Sequence, residues 1–523
     1  MKAINLKTEY LIDPIGIDIR HPRLFWNCEG GTKQTAYRIV AKTDEQIVWD
    51  SGKVSSESMH ADYPNDLASR QRVEWNVTLW DEIDREGEPS ETAFFETGLL
   101  SASDFTAKWI SGNYLVNKKK RSPVDCFKKE FSAHNVAKAR LYITACGLYE
   151  ALVNGKRVGN FVLAPGHTDY TKRIQLQTYD VTELLENGEN VITVELADGW
   201  YRGSCGAWGL RNQYGTQTKL YAQLEITDKS GNKAVIGTDQ TWAWSNDGEI
   251  RFADNKDGEI IEAWRTPSYS GFAKETKCDV VPASSNNVPV TEHERFSVQK
   301  VITTPGGAKV LDFGQNIAGY ISFAVMAKKG QKIKLCFGEM FDENGEFTQK
   351  NFQCANKKRT KVTPLQQIEY YCKDGLNEYK TKFAIFGFQY VLIETDVEWK
   401  PEDFAAVAVY SDMEETLSFD SSNELLNKLV AATRWSAKNN HADVPTDCPT
   451  RERHGWTGDA QIFCNTASYL FNFAPFARKY VHDMLDGQRK NGKFRQITPK
   501  GGVDFYMDFM DGSAGWSDAG VLI

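Results

Sequence analysis

The sequence predicts several antiparallel β-sandwich domains followed by an α-helical domain. Three observations carry that reading. Up to about residue 410 the apolar residues come in short runs broken by Gly, Asn and Asp, the punctuation of strands and tight turns. After Ser411 they recur at helical spacing in longer runs. Strands and helices occupy separate blocks, and such blocks make distinct domains instead of one mixed sheet. At roughly 150 residues per domain, 523 residues leave room for three to four.

Along the chain, Glu96 to Leu99 followed by Trp109-Ile110 closes a first small sandwich near residue 105. Arg140 to Ala145 alternates, with Leu141, Ile143 and Ala145 on one face and Arg140, Tyr142 and Thr144 on the other. Asn154-Gly155, set between Ala151-Leu152-Val153 and Lys156-Arg157-Val158, predicts a hairpin, because a type I′ turn needs two positive φ angles. Val191 to Val194 and Ile333 to Phe337 are further strands. The Ser/Asn/Pro-rich stretch from Pro282 to Pro289 reads as a linker, and a third β-domain runs from about Val298 to Val409. No internal repeat of fixed period is visible.

The helices have their own signals. Ser421-Ser422-Asn423-Glu424 has the form of a capping box between Ser421 and Glu424, with Leu425, Leu429 and Ala432 following at helical spacing. Ala460 to Asn472 is a second amphipathic run, carrying Phe463, Ala467 and Leu470 on one face. Pro475 suits the first turn of a third, which aligns Phe476, Tyr480 and Met484 before Gly487 stops it.

Composition narrows the function. With 41% hydrophobic and 25% charged residues the chain can bury several cores. Its 62 basic and 70 acidic residues leave a net charge of −8, which gives no global pull toward nucleic acid or an anionic membrane. The basic run Lys118 to Arg121 is local and reads as a solvated loop. No stretch approaches the ~18 apolar residues of a spanning helix, and the amino terminus lacks a signal-peptide core, so a cytoplasmic location is expected. The ten cysteines are scattered from Cys28 to Cys464 without a Cys-x-x-Cys pair, which predicts free thiols and no zinc site. Aromatic residues make up 12%, and aromatic faces pack against sugar rings as well as β-cores.

One segment carries chemistry. Between the first two predicted helices, Asp447 to Asp459 holds three carboxylates (Asp447, Glu452, Asp459), two guanidinium groups (Arg451, Arg453), His454 and Trp456. It follows neither the strand nor the helix period and is therefore a loop. Carboxylates and Arg bind vicinal hydroxyls, and an indole covers a pyranose face. A carboxyl desolvated beside Trp456 would suit a general acid. A surface cluster of ion pairs accounts for the same residues. A metal site from His441, Asp443, Asp447, Cys448 and His454 mixes hard and soft ligands and suits no single ion. No Gly-x-Ser-x-Gly elbow supports a serine hydrolase.

The stretch from Asp443 to Gln461, DVPTDCPTRERHGWTGDAQ, closely resembles the signature of bacterial α-L-rhamnosidases, which are inverting glycoside hydrolases. Tyr410-Ser-Asp-Met and Phe419-x-Ser-Ser-Asn resemble the start of that family's catalytic domain. Ala139 to Tyr149, Asn154 to Val158, Ala164 to Tyr170 and Asp198 to Gly203 resemble its amino-terminal β-domain, and Leu311 to Tyr320 the sandwich that follows.

The resemblance implies an (α/α)₆ toroid, incomplete at its carboxyl end, over residues 411–523. It implies a fibronectin- or Ig-like sandwich over 1–105, a carbohydrate-binding-like sandwich over 106–290 and a concanavalin-like one over 291–410. It further implies cleavage of terminal α-L-rhamnose from rhamnosides, with Glu452 as general acid. Asp447, Arg451, Trp456, Asp459, Trp516 and Asp518 are the expected substrate-binding residues. Arg451 and Arg453 flank the acid, and whether they touch sugar or only brace the loop stays open. No metal or cofactor, no nucleic acid and no membrane is expected as a partner; a rhamnose-containing oligosaccharide or glycoside is.

The family's general base lies far downstream, and the chain stops on the apolar run Asp518 to Ile523. The expectation is therefore an amino-terminal portion that turns over poorly by itself. Within the chain, Asp504, Asp508, Asp511 and Asp518 are the carboxylates open to the role of base. The alternative is a non-catalytic, lectin-like homologue with its sites on the sandwiches, for instance at Asp198-Gly-Trp-Tyr-Arg, although Trp200 and Tyr201 read first as core.

Overall fold

The computed structural model describes all residues except 119, 356–361 and 502–509. They form two compact units, one of residues 1–106 with 176–179 and 283–287, the other of the remainder. In the first unit Ala36–Thr43 lies between Gln46–Asp50 and Arg72–Trp80, and Ala93–Thr97 extends that sheet beside Arg72–Trp80. A smaller sheet joins Lys2–Thr8, Arg23–Glu29 and His60–Asp62. Strand alternation turns Val73, Trp75, Val77 and Leu79 inward against Trp26, Ile39 and Tyr63, all buried in one core. The buried Trp26 indole keeps its hydrogen bond by donating to Gln34 Oε1 at 2.9 Å.

In the second unit the alternating segment lies within Val136–Cys146, antiparallel to Lys219–Asp228 with Leu141 opposite Leu224. Both its faces are buried, Arg140 meeting Asp180 at 2.8 Å, so neither side of the alternation is solvent. The predicted hairpin forms: Val153 faces Lys156, and φ is +51° at Asn154 and +76° at Gly155. The last residue of the basic run is not solvated, because Arg121 turns inward onto Asp254, Asp257 and Ser204. Trp200 and Tyr201, on the one-turn helix α1 (Gly199–Arg202), are buried as core.

The largest sheet runs in the order Ile250–Asp254, Gly258–Glu262, Gln367–Tyr371, Lys332–Gly338, Phe386–Thr395, Lys309–Ala327, Phe404–Ser411, Val290–Ser297. Its first two strands form a hairpin that arrives from the preceding sandwich and adds on in parallel beside Gln367–Tyr371. Gly258 permits that join: its φ is +115°, and a Cβ there would stand 1.7 Å from the Gln367 carbonyl oxygen. The hairpin's turn, residues 254–257, is thereby pressed against the ends of the sheet.

Helices α2 (Glu424–Asn440), α3 (Thr457–Leu470) and α4 (Ala474–Gly487) follow, close to their predicted positions. No capping box forms. Asn423 is the N-cap of α2, its Oδ1 accepting from Leu425 N at 3.0 Å, while Ser421 Oγ is spent on Asn427. Leu425 and Leu429 are 75% and 61% exposed, so the predicted apolar face of α2 is largely uncovered. On α4 the predicted row Phe476, Tyr480 and Met484 is buried. The described residues are thus mostly β, and their longer helices come late in sequence. Among the described residues no helix is long and apolar enough to cross a membrane, and the ten cysteines are free.

Candidate active site

The charged loop begins where α2 ends. A two-residue hairpin, His441–Ala442 with Val444–Pro445, turns through Asp443 at φ +68°. Asp443 is buried; it accepts from His167 N and pairs with Lys479 at 3.0 Å, which spends it on structure. Asp447 then closes the loop on itself. Its N–H donates to the His454 carbonyl at 3.1 Å and its Oδ1 accepts from His454 N at 3.0 Å. One backbone bond and one bond to the Asp447 carboxylate, in opposite senses across seven residues, give the loop a fixed outline without helix or sheet.

Glu452 stands inside that outline. Its Oε2 accepts from the Trp456 indole at 3.0 Å, and its Oε1 accepts from Arg451 Nη2 at 3.2 Å. Trp456, four residues on, is in edge contact with Trp516, ring centroids 6.4 Å apart. Gly458 opens the room for this. A Cβ there would lie 2.7 Å from the Trp516 ring nitrogen. Asp459 is exposed in the first turn of α3.

The electrostatics single out Asp447. Burial raises its pKa to about 6, the Glu452 charge pushes the same way, and bonds from Cys448 and His454 only partly oppose them. Asp459 is raised too, by desolvation first and the Glu452 charge second. His454 is buried and held down to about 3 by desolvation, with Lys256 adding to the effect, so its imidazole is neutral near pH 7.

The remaining predicted residues divide. Arg451 is exposed and pairs with Glu452. Arg453 turns inward and donates to the carbonyls of Asn255, Ile385 and Thr450 and to Gln366 Oε1: it braces the loop. Trp516 joins the cluster through Trp456. Asp518 is exposed at the start of a short terminal helix and accepts from Gly515 N at 3.3 Å. Asp511 is held by Arg489 and Arg495. Asp504 and Asp508 lie outside the described residues. A cavity of about 300 Å³ between α2 and α3 has Ser436, Asn440, His441, Thr446 and Asp459 on its wall. Asp459 alone links it to the charged loop, so the side chains and not the cavity define the site. Among the described residues no cluster of three His, Cys, Asp or Glu side chains is arranged to hold a metal.

Sequence reasoning missed Lys256. Its ammonium, almost wholly buried in the 254–257 turn, donates to the carbonyls of Arg451 at 2.6 Å, Glu452 at 3.2 Å and Gly206 at 2.7 Å. Asp254-Asn-Lys-Asp-Gly258 reads as an ordinary β-turn, and no local signal points to a loop 195 residues away.

Comparison with known proteins follows the same order along the chain. Residues 3–101 match the Rha78A-like amino-terminal immunoglobulin domain, and 134–304 the α-L-rhamnosidase amino-terminal domain. Residues 302–410 match the bacterial α-L-rhamnosidase concanavalin-like domain, and 414–523 the bacterial α-L-rhamnosidase six-hairpin glycosidase domain. An α-L-rhamnosidase of Formosa agariphila is 34% identical over 98% of this chain and 57% of its own length. One from Streptomyces avermitilis is 32% identical over 100% of this chain and 68% of its own. The crystal structure of a Streptomyces avermitilis α-L-rhamnosidase complexed with L-rhamnose superposes with a TM-score of 0.91 at 25% identity, covering 100% of this chain and 68% of that one. The chain spans 54–59% of three of the curated relatives it matches.

Proposed function

Because this chain belongs to the bacterial α-L-rhamnosidase family, we propose that it carries the sugar-holding and acid-donating half of a site that hydrolyses terminal α-L-rhamnosides. The observation that carries the proposal is the Glu452 carboxyl, bonded to the Trp456 indole and Arg451 and flanked by Asp447 and Asp459. In this reading Glu452 protonates the departing glycosidic oxygen. Trp456 and Trp516 pack on the sugar's C–H face, while Asp447, Asp459, Arg451 and Asp518 take its hydroxyls. Arg453 fixes the loop and does not touch sugar. We assign the order 1–105, 106–290, 291–410 and 411–523 to three sandwiches and the opening helices of an (α/α)₆ toroid.

Two carboxylates must cooperate for inversion, about 6.5–9.5 Å apart with a water between the second and the sugar. Arg489 and Arg495 occupy Asp511, and Asp518 is given to the sugar's hydroxyls in this reading, so the base is assigned to neither. Rhamnosides of graded leaving-group acidity test the acid. Glu452→Gln should lose most of its rate on alkyl or glycosyl rhamnosides and much less on nitrophenyl rhamnosides, whose leaving group needs little protonation. Equal losses on both would remove Glu452 from the role.

A further inference from the structure

We infer that Lys256 is the positioning residue of the acid loop: its ammonium clamps the carbonyls of Arg451 and Glu452 to the β-domain and so fixes where the Glu452 carboxyl stands. The inference goes beyond the reading of Glu452 as acid and rests on that reading only for its catalytic consequence. An ammonium has three N–H donors, and all three are placed: one on Gly206 of the loop after α1, two on consecutive carbonyls of the acid loop. Three segments far apart in sequence meet on one nitrogen.

The lysine is itself held. Asp254 Oδ1 accepts the backbone N–H groups of Lys256 and Asp257, both at 3.0 Å, which fixes the turn that carries it. Arg121 then joins Asp254 to Asp257, and Asp257 Oδ1 accepts from Leu365 N at 3.0 Å. The clamp thus stands on a ring of buried charge anchored to the large sheet. Neighbouring Arg453 braces the same loop from Asn255 and Ile385, so Glu452 is flanked by two inward-pointing cations on its backbone side.

The clamp is sensitive to protonation. The groups facing Lys256 are Arg453, Cys448 and His454 from the acid loop, Cys205 beyond α1, and Asp257 in its own turn. Burial outweighs the anionic neighbours and, with Arg453, brings the ammonium down to about 8. A neutral amine has two N–H groups for three carbonyls and turns a lone pair on the third. The hydrogen-bond set of the clamp is therefore complete only in the ammonium form.

Hydrogen exchange on this chain reads the clamp without turnover. In Lys256→Met the amides of Glu452, His454 and Trp456 should exchange on the order of tenfold faster at pH 7, with the strands of the large sheet unchanged. Lys256→Gln, which keeps two donors, should fall between. Should Lys256→Met unfold, Lys256→Gln is the deciding variant. Loop protection unchanged in either folded variant overturns the clamp. Glu452→Gln on graded rhamnosides separately decides the acid, so either idea can fall without the other.

Discussion

Asp447 and Lys256 show how burying charge shapes this site at the scale of single residues. A carboxyl whose folded pKa is raised to about 6 stabilises the fold fully below its ordinary value near 4 and loses that contribution as pH rises through 6. At pH 7 the ionised, desolvated Asp447 is therefore a net cost on the order of 2–3 kcal/mol, even with its Oδ1 accepting from His454 N. Asp447→Asn should raise the melting temperature at pH 7 and flatten its pH dependence between 4 and 6, while weakening rhamnose binding. Thermal melts across that range check the sign; a variant less stable at pH 7 with the slope intact would contradict it. Lys256 runs the opposite way in charge but also costs at neutral pH. Its folded pKa is depressed, so stability is penalised below 8 and relieved toward the unfolded value near 10.5.

At the scale of elements, what was legible in the sequence depended on whether a residue's role was local. The Asn154-Gly155 hairpin and the Phe476, Tyr480, Met484 row of α4 follow from φ preferences and helical period, both properties of a few consecutive residues. The Asp447–Asp459 loop was visible because five charges without period have no place in a core. Inside it the sequence could not separate Arg451 from Arg453, since one faces solvent and the other reaches the carbonyls of Asn255, in the 254–257 turn, and of Ile385, just before a strand. The capping box failed for a local reason: Asn423, and not Ser421, sits at the helix boundary and caps it. Asn423→Ala should then destabilise α2 by about 1 kcal/mol, whereas Ser421→Ala should cost less. Exchange rates of the α2 first-turn amides distinguish the two, and a larger loss for Ser421→Ala would restore the box.

At the scale of the whole molecule the chemistry needs more than one loop. The large sheet is part of what holds the loop, because the turn at Lys256 and Ile385, just before the strand Phe386–Thr395, bond its backbone and Arg453. The helices hold it less completely. Leu425 and Leu429 on α2 and Ile462 on α3, 80% exposed, lie uncovered on the elements that lead into and out of the loop. The curated relatives of which this chain spans 54–59% have sequence beyond the matched region, and inversion requires a second carboxylate held to within about half an ångström of its working place. On the proposed mechanism, with neither Asp511 nor Asp518 assigned as base, residues 1–523 alone should turn over p-nitrophenyl α-L-rhamnoside several orders of magnitude more slowly than those longer relatives. The measurement is the rate with this chain against its Glu452→Gln variant as background. Turnover matching the relatives and abolished in Glu452→Gln would mean that a carboxylate within these residues, or from a second copy of the chain, completes the pair.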